Sequence, residues 1–524
     1  GYTLFSPFKS TNTFLIDNCG QVVNKWESDY FPAAETVLLE NGNLLKTASN
    51  GVPSNPVFAF GGGGELIQEL DWQGNIVWEF EYSDSTHRMH HDFSILPNGN
   101  LLIPAWELKT NAEAIQAGRD TLLLPDGVLW AEYVIELKRE SGEIVWEWHM
   151  WDHLIQDFDS TKDNYGIVAD HPELLNINRT GGPTVAGGKN WMHINSIDYN
   201  QMMDQILVNS FFLSEFYIID HSTSTSQAST HNGGNSNMGG DILYRWGNPA
   251  NYDHGNADDR TIYGAHNVHW IPQGLEDEGK VMLFNNGNGR PGGAGSSIDV
   301  LAPLVDDYTS GQYIYDVGVP FFPHSSEWSY PETPSTAFYS NFLSGAQRLQ
   351  NGNTLICSGA KGHFIEVNKN KEIVWEYINP DIGITVLTQG DTIPVVGGRN
   401  TNIVFRATKY GENYPGLIGK DLTPESPIEV YINEPYVCTL LATLDPVKSV
   451  NVTISPNPAS ENVFIEIESN NIDGYVLEIV NSSGILIDRR NISQSIDLEL
   501  ANYPDGLYII RINGLYAGRF LKTY

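Results

Sequence analysis

A turn, glycine-centred in four copies, followed by a short β-rich run closing on tryptophan recurs six times along this chain, most weakly at Trp328. It reads DNCGQVVNKW to Trp26, DWQGNIVWEF around Trp78, KRESGEIVWEW around Trp146, GGDILYRW at Trp246, SSEWSY at Trp328 and NKNKEIVWEY around Trp375. One copy of such a unit cannot bury its own apolar face, so neighbouring copies must stack. Between the tryptophan runs lie second units at 35–47, 91–104, 193–209, 266–285 and 344–358, with a sixth at 402–410. Outer and inner hairpins therefore alternate through six cycles, starting with an outer half (14–26) and ending with an inner half. A linear stack leaves both halves with unpaired edges. Pairing the first half with the last removes them, which predicts an all-β fold, a six-bladed β-propeller.

The inner units share a register. His91 stands seven residues before Asn98, His193 seven before Asn200 and His266 seven before Gln273. Ser344 before Asn351 and Ala34 before Asn41 fill the same place in two further copies. Three histidines in one register of a closed ring face one another at its centre. An imidazole there can act as nucleophile, acid-base or anion donor. A three-histidine zinc site is the competing reading. It needs nitrogens roughly 2.0–2.1 Å from one ion, closer than residues on separate blades usually come.

Strand alternation turns His90 away from His91, and His269 away from His266, to rim or packing positions. Asn195 and Asn267 either donate to a ligand or satisfy backbone. Arg88, Arg290 and Arg348 are the basic residues in or beside the inner units, with structural roles favoured. The outer tryptophans read as packing between blades.

With 524 residues the chain exceeds one ordinary core. Lys+Arg 29 against Asp+Glu 64 gives a net charge of −35, which repels nucleic acid and anionic membrane. Any anion site must be built locally against that field. No run approaches the roughly 18–20 apolar residues of a membrane helix. An N-terminal export signal is missing too, so either the chain is cytosolic or Gly1 is a processed end. Cys19, Cys357 and Cys438 have neither metal nor redox spacing. They allow at most one disulfide, and buried free thiols are the simpler reading.

Three insertions interrupt the cycles: 108–130 with a short helix at 111–117, 151–190 with a Gly-rich end, and 286–330. Loops of this length in a compact domain are usually lids or rims. From residue 449 short alternating strands punctuated by Asn457-Pro458, Ser483-Gly484 and Pro504-Asp505-Gly506 predict a small β-sandwich. The expected division is a propeller over 1–424, a bridge over 425–448 and the sandwich over 449–524.

The segments HHDFSILPNGNLL, NWMHINSIDYNQMMDQILVNS, YGAHNVHWIPQGL with FNNGNGRP, and SGAQRLQNGNTLICSG resemble the arylsulfate sulfotransferase family. IDHSTSTSQASTHNGGNSNMGGDILYRWGNP and VFRATKYGENYPGL are similar as well, so the likeness covers about 1–424. It implies a six-bladed propeller exported from the cytoplasm, with no cofactor. Such enzymes move a sulfuryl group from a phenolic sulfate ester to a phenol through a sulfohistidine. By motif, His266 would be the nucleophile. His91 and His193 would hold sulfate oxygens, one of them protonating the leaving phenolate. Asn195, Asn267, Arg348 and His90 are the candidate substrate-binding residues. The chain departs from the pattern after the second histidine, where Phe211 in LVNSFFLSEFYIID matches a position that usually supplies arginine or another polar donor. Arg348 is the candidate to make up for it.

The last 75 or so residues resemble a type IX secretion C-terminal sorting domain of type A, on ISPNPASENVFIEI, NSSGILI, LANYPDGLYIIRI and GRFLKTY. That resemblance implies the outer-membrane translocon as a partner, a surface or secreted location, and Gly1 as a signal-peptidase product.

Overall fold

The computed structural model describes residues 1–49, 55, 57–180, 188–429, 451–468, 475–481, 486–492, 495–512 and 515–523. The chain divides into two compact units, Gly1–Pro435 and Tyr436–Tyr524. In the first unit every repeat cycle becomes a sheet of four antiparallel strands, the third with a short fifth segment. Sheets two to six each run forward along the chain. Their leading strands are Phe31–Leu38, His87–Met89 (then Ser94–Ile95), Ile194–Asn200, Ala265–Trp270 and Gly345–Arg348. Sheet one is assembled differently. Tyr2–Pro7, Asn12–Ile16 and Val22–Glu27 come from the start of the chain, while the leading strand, Val404–Tyr410, comes from its far end. Thr3 lies opposite Lys409 and Phe5 opposite Ala407.

Apolar cores lie between successive sheets. Leu15 and Trp26 of sheet one meet Leu38 and Leu70 of sheet two, and Ile67 meets Ile103 and Ile135 of sheet three. Val134 meets Ile206 and Val208 of sheet four, and Phe216 meets Val268 and Leu283 of sheet five. Phe284 then meets Ile356 and Ile365 of sheet six. In the last cluster Cys357 and Phe364 of sheet six pack on Phe5, Phe14 and Val404 of sheet one.

The tryptophans of the repeat hold these junctions from outside. Indole N–H groups of Trp26, Trp78, Trp146, Trp246 and Trp375 donate to Asp71 O, Arg139 O, Thr223 Oγ1, Pro323 O and Asn18 O, each outside the tryptophan's own sheet. Trp328 does the equivalent with its face, on which the Arg348 guanidinium lies 5.0 Å from the ring centre. A large ring buried beside one donor is a good junction, because the apolar body fills space while the N–H finds a partner.

The 108–130 insertion is shorter than expected, since its flanks extend the third sheet as Leu101–Thr110 and Val128–Lys138. Its helix, Asn111–Gln116, starts at a Thr110/Glu113 capping box. The beginning of the expected bridge packs on sheet one, where Glu425 N donates to Val22 O at 2.8 Å. Residues 430–448 of that bridge and 181–187 of the Gly-rich stretch lie outside the described residues. Cys357 is a buried free thiol, its pKa pushed up by burial. Cys19 is disulfide-bonded, which corrects the reading of free thiols throughout; Cys438 lies outside the described residues.

The second unit holds two antiparallel sheets. One joins Asn451–Ser455, Asn462–Glu468 and Ser495–Glu499; the other joins Leu486–Ile492, Tyr475–Asn481, Gly506–Ile512 and Leu515–Lys522. Val463, Ile465 and Leu498 of the first share a core with Leu477, Ile479, Ile510 and Phe520 of the second. The Ser483-Gly484 turn falls outside the described residues.

Trp26 is fully buried between two sheets and carries one of the inter-sheet bonds. Trp26→Ala is expected to cost about 3–5 kcal/mol of unfolding free energy in denaturant titrations, the usual range for emptying such a site.

Candidate functional site

Three imidazoles come together along the leading strands: His193 and His266 where those of sheets four and five begin, and His91 between the two segments of that of sheet three. The His91 and His193 rings stand edge to face, 4.5 Å between centroids. Two phenylalanines connect them to His266. Phe211 is 6.1 Å from His193 and 5.1 Å from His266. Phe405 is 6.2 Å from His91 and 6.3 Å from His266. All three histidines are buried.

The backbone reaches this arrangement by breaking strand regularity. His91 and His193 both have φ 57, in the left-handed region that a histidine occupies only when its surroundings impose it. In sheet five the left-handed residue is Asn267, at φ 51, and the pairing register shifts between His266 and His269. Alternation therefore fails as a guide here. His90 does not turn away from His91, since their Nδ1 atoms are 2.9 Å apart. His269 is held neutral by burial, its pKa lowered to about 4, with the Arg406 guanidinium adding to the effect.

Hydrogen bonds assign the tautomers. Asn286 Nδ2 donates to Ser340 O (2.7 Å) and Leu343 O (3.1 Å), so its Oδ1 faces His266 and accepts from Nδ1–H at 2.7 Å. The lone pair of His266 is thereby on Nε2. Burial lowers its pKa to about 3 despite the Asn286 bond, so the ring is neutral. Asn190 Nδ2 donates to His193 Nδ1 at 2.9 Å, which puts the His193 proton on Nε2.

Behind His91 stands a relay. Glu132 accepts Trp106 Nε1–H and Ile194 N–H at Oε1, both at 3.0 Å, and His90 Nε2–H at Oε2, 2.8 Å away. On its other side His90 Nδ1 shares a hydrogen bond with His91 Nδ1, 2.9 Å away. Burial, followed by the neighbouring imidazoles, holds the pKa of His91 and His193 well below the ordinary value.

A second layer of charge lies beside the histidines. Arg406 pairs with Glu35 (2.5 Å) and Asp92 (2.8 Å). Burial opposes the Arg406 charge, but those carboxylates outweigh it and raise its pKa. Burial lifts Glu35 and Asp198 each to about 7.

The remaining expected residues are engaged elsewhere. Asn195 donates to Ala265 O and accepts from Asn209, both at 2.7 Å. Asn267 accepts from Ala346 N at 2.9 Å. Arg348 binds Thr354 Oγ1 and Asp277 and covers Trp328, away from the three rings, so it does not replace a cation at Phe211. His90 has both nitrogens occupied, by Glu132 and His91, and reaches the site only through His91. Arg290 bonds Ser297 Oγ. Glu132, Asn190 and Asn286 escaped the sequence reading, although Asn286 stands inside the FNNGNGRP segment.

A cavity of about 640 Å³ abuts the cluster, lined by Phe8, Lys9, Phe31, Phe60, Gly62 and Arg88 among others. Arg88 is tied there to Phe58 O and Glu65. Phe60 reaches His193, 5.2 Å between ring centres. Gly62, at φ +81, lies so close that a Cβ would fall 1.9 Å from His91 Nε2. Gly62→Ala is therefore expected to cost roughly 1–3 kcal/mol in denaturant titrations, from backbone strain and overpacking together.

A family model described as Arylsulfotransferase (ASST) matches residues 5–392, and one described as Secretion system C-terminal sorting domain matches residues 453–517. No curated protein matches the chain. Among solved structures, a protein of unknown function from Bacteroides caccae is 11% identical, with 78% of this chain and 97% of that one covered at TM-score 0.39. A streptogramin B lyase is 11% identical (72% and 79% covered, TM-score 0.33), and virginiamycin B lyase from Staphylococcus aureus 10% identical (72% and 84% covered, TM-score 0.31). Likenesses this distant bear on neither activity nor ligand.

Proposed function

Because the chain belongs to the arylsulfotransferase family, we propose that it transfers a sulfuryl group from a phenolic sulfate ester to a phenol through a sulfohistidine on His266. It carries a type IX secretion sorting domain, so it is an exported, cell-surface protein. On this reading the six sheets are the blades of a closed six-bladed propeller, the three histidines stand at its centre, and the second unit is a β-sandwich read by the translocon. The observation that carries the proposal is the Asn286 amide, which leaves the lone pair of a neutral His266 on Nε2.

The chemistry follows from that tautomer. Nε2 attacks sulfur, a nitrogen–sulfur bond forms, and the sulfur–oxygen bond to the aryl group breaks with its electron pair going to the phenolate. Positive charge then grows on the His266 ring, and Nδ1–H shares it with Asn286 Oδ1. His193 Nε2–H is placed to donate to a sulfuryl oxygen. An anionic sulfate also favours protonation of a neighbouring imidazole, which supplies the proton for the phenolate. In the second half the acceptor phenol gives its proton to that imidazole, its oxygen attacks sulfur, and the nitrogen–sulfur bond breaks with its electron pair returning to His266 Nε2. The aryl ring of the donor fits the wall of Phe8, Phe31 and Phe60. Covalent transfer by histidine divides one difficult displacement into two easier ones.

Phe211 favours a second reading, a propeller that binds a sulfated or phenolic ligand without turning it over. Its ring sits between His193 and His266, and losing one oxyanion donor costs about 2.7–4 kcal/mol of transition-state stabilisation. Incubation with 4-nitrophenyl sulfate and a phenol separates the two. Acceptor-dependent nitrophenol release, a sulfuryl group on the His266 peptide by mass spectrometry, and loss of both in His266→Ala support transfer. Binding without release supports the second reading.

Two further outcomes test the tautomer argument. Asn286→Ala is expected to lower the rate of enzyme sulfurylation by about 10²-fold or more, as expected when a nucleophilic or basic histidine loses its orienting partner. Sulfurylation should persist at pH 5 in stopped-flow, because His266 stays neutral above about 3. An imidazole with an ordinary pKa of about 6.5 would be almost fully protonated there.

A further inference from the structure

We infer a divalent transition-metal site, of the zinc type, formed by His153, His231 and Asp241, apart from the histidine cluster and independent of the proposed reaction. One ligand atom from each residue lies within 4.8 Å of the others. His153 Nδ1 is 2.7 Å from Asp241 Oδ1, and His231 Nδ1 approaches the same oxygen at 2.8 Å. Two imidazoles and one carboxylate are the donor set of a borderline ion; calcium and magnesium want oxygen cages instead.

The surroundings of His153 resemble the outer shell of a metal ligand. Its Nε2 is 2.8 Å from Ala228 O, an atom that only accepts, so Nε2 bears hydrogen. In the neutral ring the lone pair is then on Nδ1, aimed at a carboxylate oxygen that also only accepts. A cation between them resolves the conflict, and donation of the second ring N–H to a backbone carbonyl is the usual way a ligating histidine is oriented. The ring is fixed further by Trp148, whose plane is tilted only 8° from it at 5.9 Å and whose Nε1–H donates to Gly240 O. Gly240 has to be glycine for this approach, since a Cβ would fall 2.0 Å from Ala228 O and 2.6 Å from His153 Nε2.

Donors at about 2.0–2.1 Å on a tetrahedral ion stand roughly 3.3 Å apart, so each ligand must open by about half an ångström. His231, its side chain 61% exposed, is free to do so and leaves the fourth position open to water. His153 belongs to the 151–190 insertion, while His231 and Asp241 flank the loop before Ile242–Trp246. The ion would staple that insertion to sheet four.

The competing account is a proton: His153 as an imidazolium paired with Asp241. The test uses the full chain, stripped with EDTA and titrated with Zn²⁺ by calorimetry and equilibrium dialysis. One ion per chain is expected, weakened tenfold or more in His231→Ala with the far-ultraviolet circular dichroism unchanged. His171→Ala and His266→Ala should retain it, which keeps this result separate from any failure at the histidine cluster. Co²⁺ in place of Zn²⁺ should give visible ligand-field bands that His231→Ala removes. Absence of a stoichiometric site, or Zn²⁺ binding that His231→Ala leaves unaltered (weak, multiple sites on the acidic surface), overturns the proposal.

Discussion

The leading strands of the first unit belong to separate sheets, and among the described residues no backbone ladder joins one to the next. Their edge N–H groups still need partners, because a buried unpaired donor costs about 1–3 kcal/mol. Side chains of the preceding sheet supply them. Tyr410 OH takes Leu38 N–H, Asp92 takes Ile197 N–H, Ser196 and Asp198 take Val268 and Trp270 N–H, Asn267 takes Ala346 N–H, and Gln347 takes Lys409 N–H. Between sheets two and three the bond is backbone to backbone, Glu35 N to His91 O. These bonds decide where the polar residues of the inner units go, and the histidines take the positions left over.

This explains how much the sequence disclosed. The repeat was legible because tryptophan and a glycine turn recur on an element whose period is two. Every one of the six tryptophans makes the junction that the repeat implied. The register of His91, His193 and His266 was legible for the same reason. The assignment of neighbours was not. His90 lies against His91 only because His91 adopts φ 57, and His269 follows His266 across a register shift. A bulge has no signature in hydrophobic alternation. Asn195 and Asn267 look like ligand donors in a list of polar residues, yet each completes an inter-sheet bond. Arg348 stands in the right repeat, but its guanidinium is drawn outward by Trp328 and Asp277.

Burial of the cluster sets its chemistry. With Lys+Arg 29 against Asp+Glu 64, the long-range field of the chain opposes any sulfate. Arg406 does not offset this locally, because Glu35 and Asp92 already hold its guanidinium. What remains for an anion is the His193 Nε2–H, directed by Asn190, beside two imidazoles whose rings are held from behind by Asn286 and the Glu132–His90 pair. A neutral donor of this kind acts by position, with no reorganisation needed when charge develops.

Phe211 stands in the same balance. A cation at that place would lie between His193 and His266, where it would lower their pKa further and donate to the Nε2 lone pair that Asn286 leaves on His266. Phenylalanine instead presents an apolar ring, packing against Gly264 so closely that a Cβ there would meet it at 2.8 Å. On the proposed transfer, an apolar wall strengthens the remaining hydrogen bonds to the sulfuryl oxygens but supplies no charged donor of its own. These two effects oppose each other, so the rate of that proposed transfer turns on whether the Asn286 hold on the His266 tautomer can stand in for one missing charge.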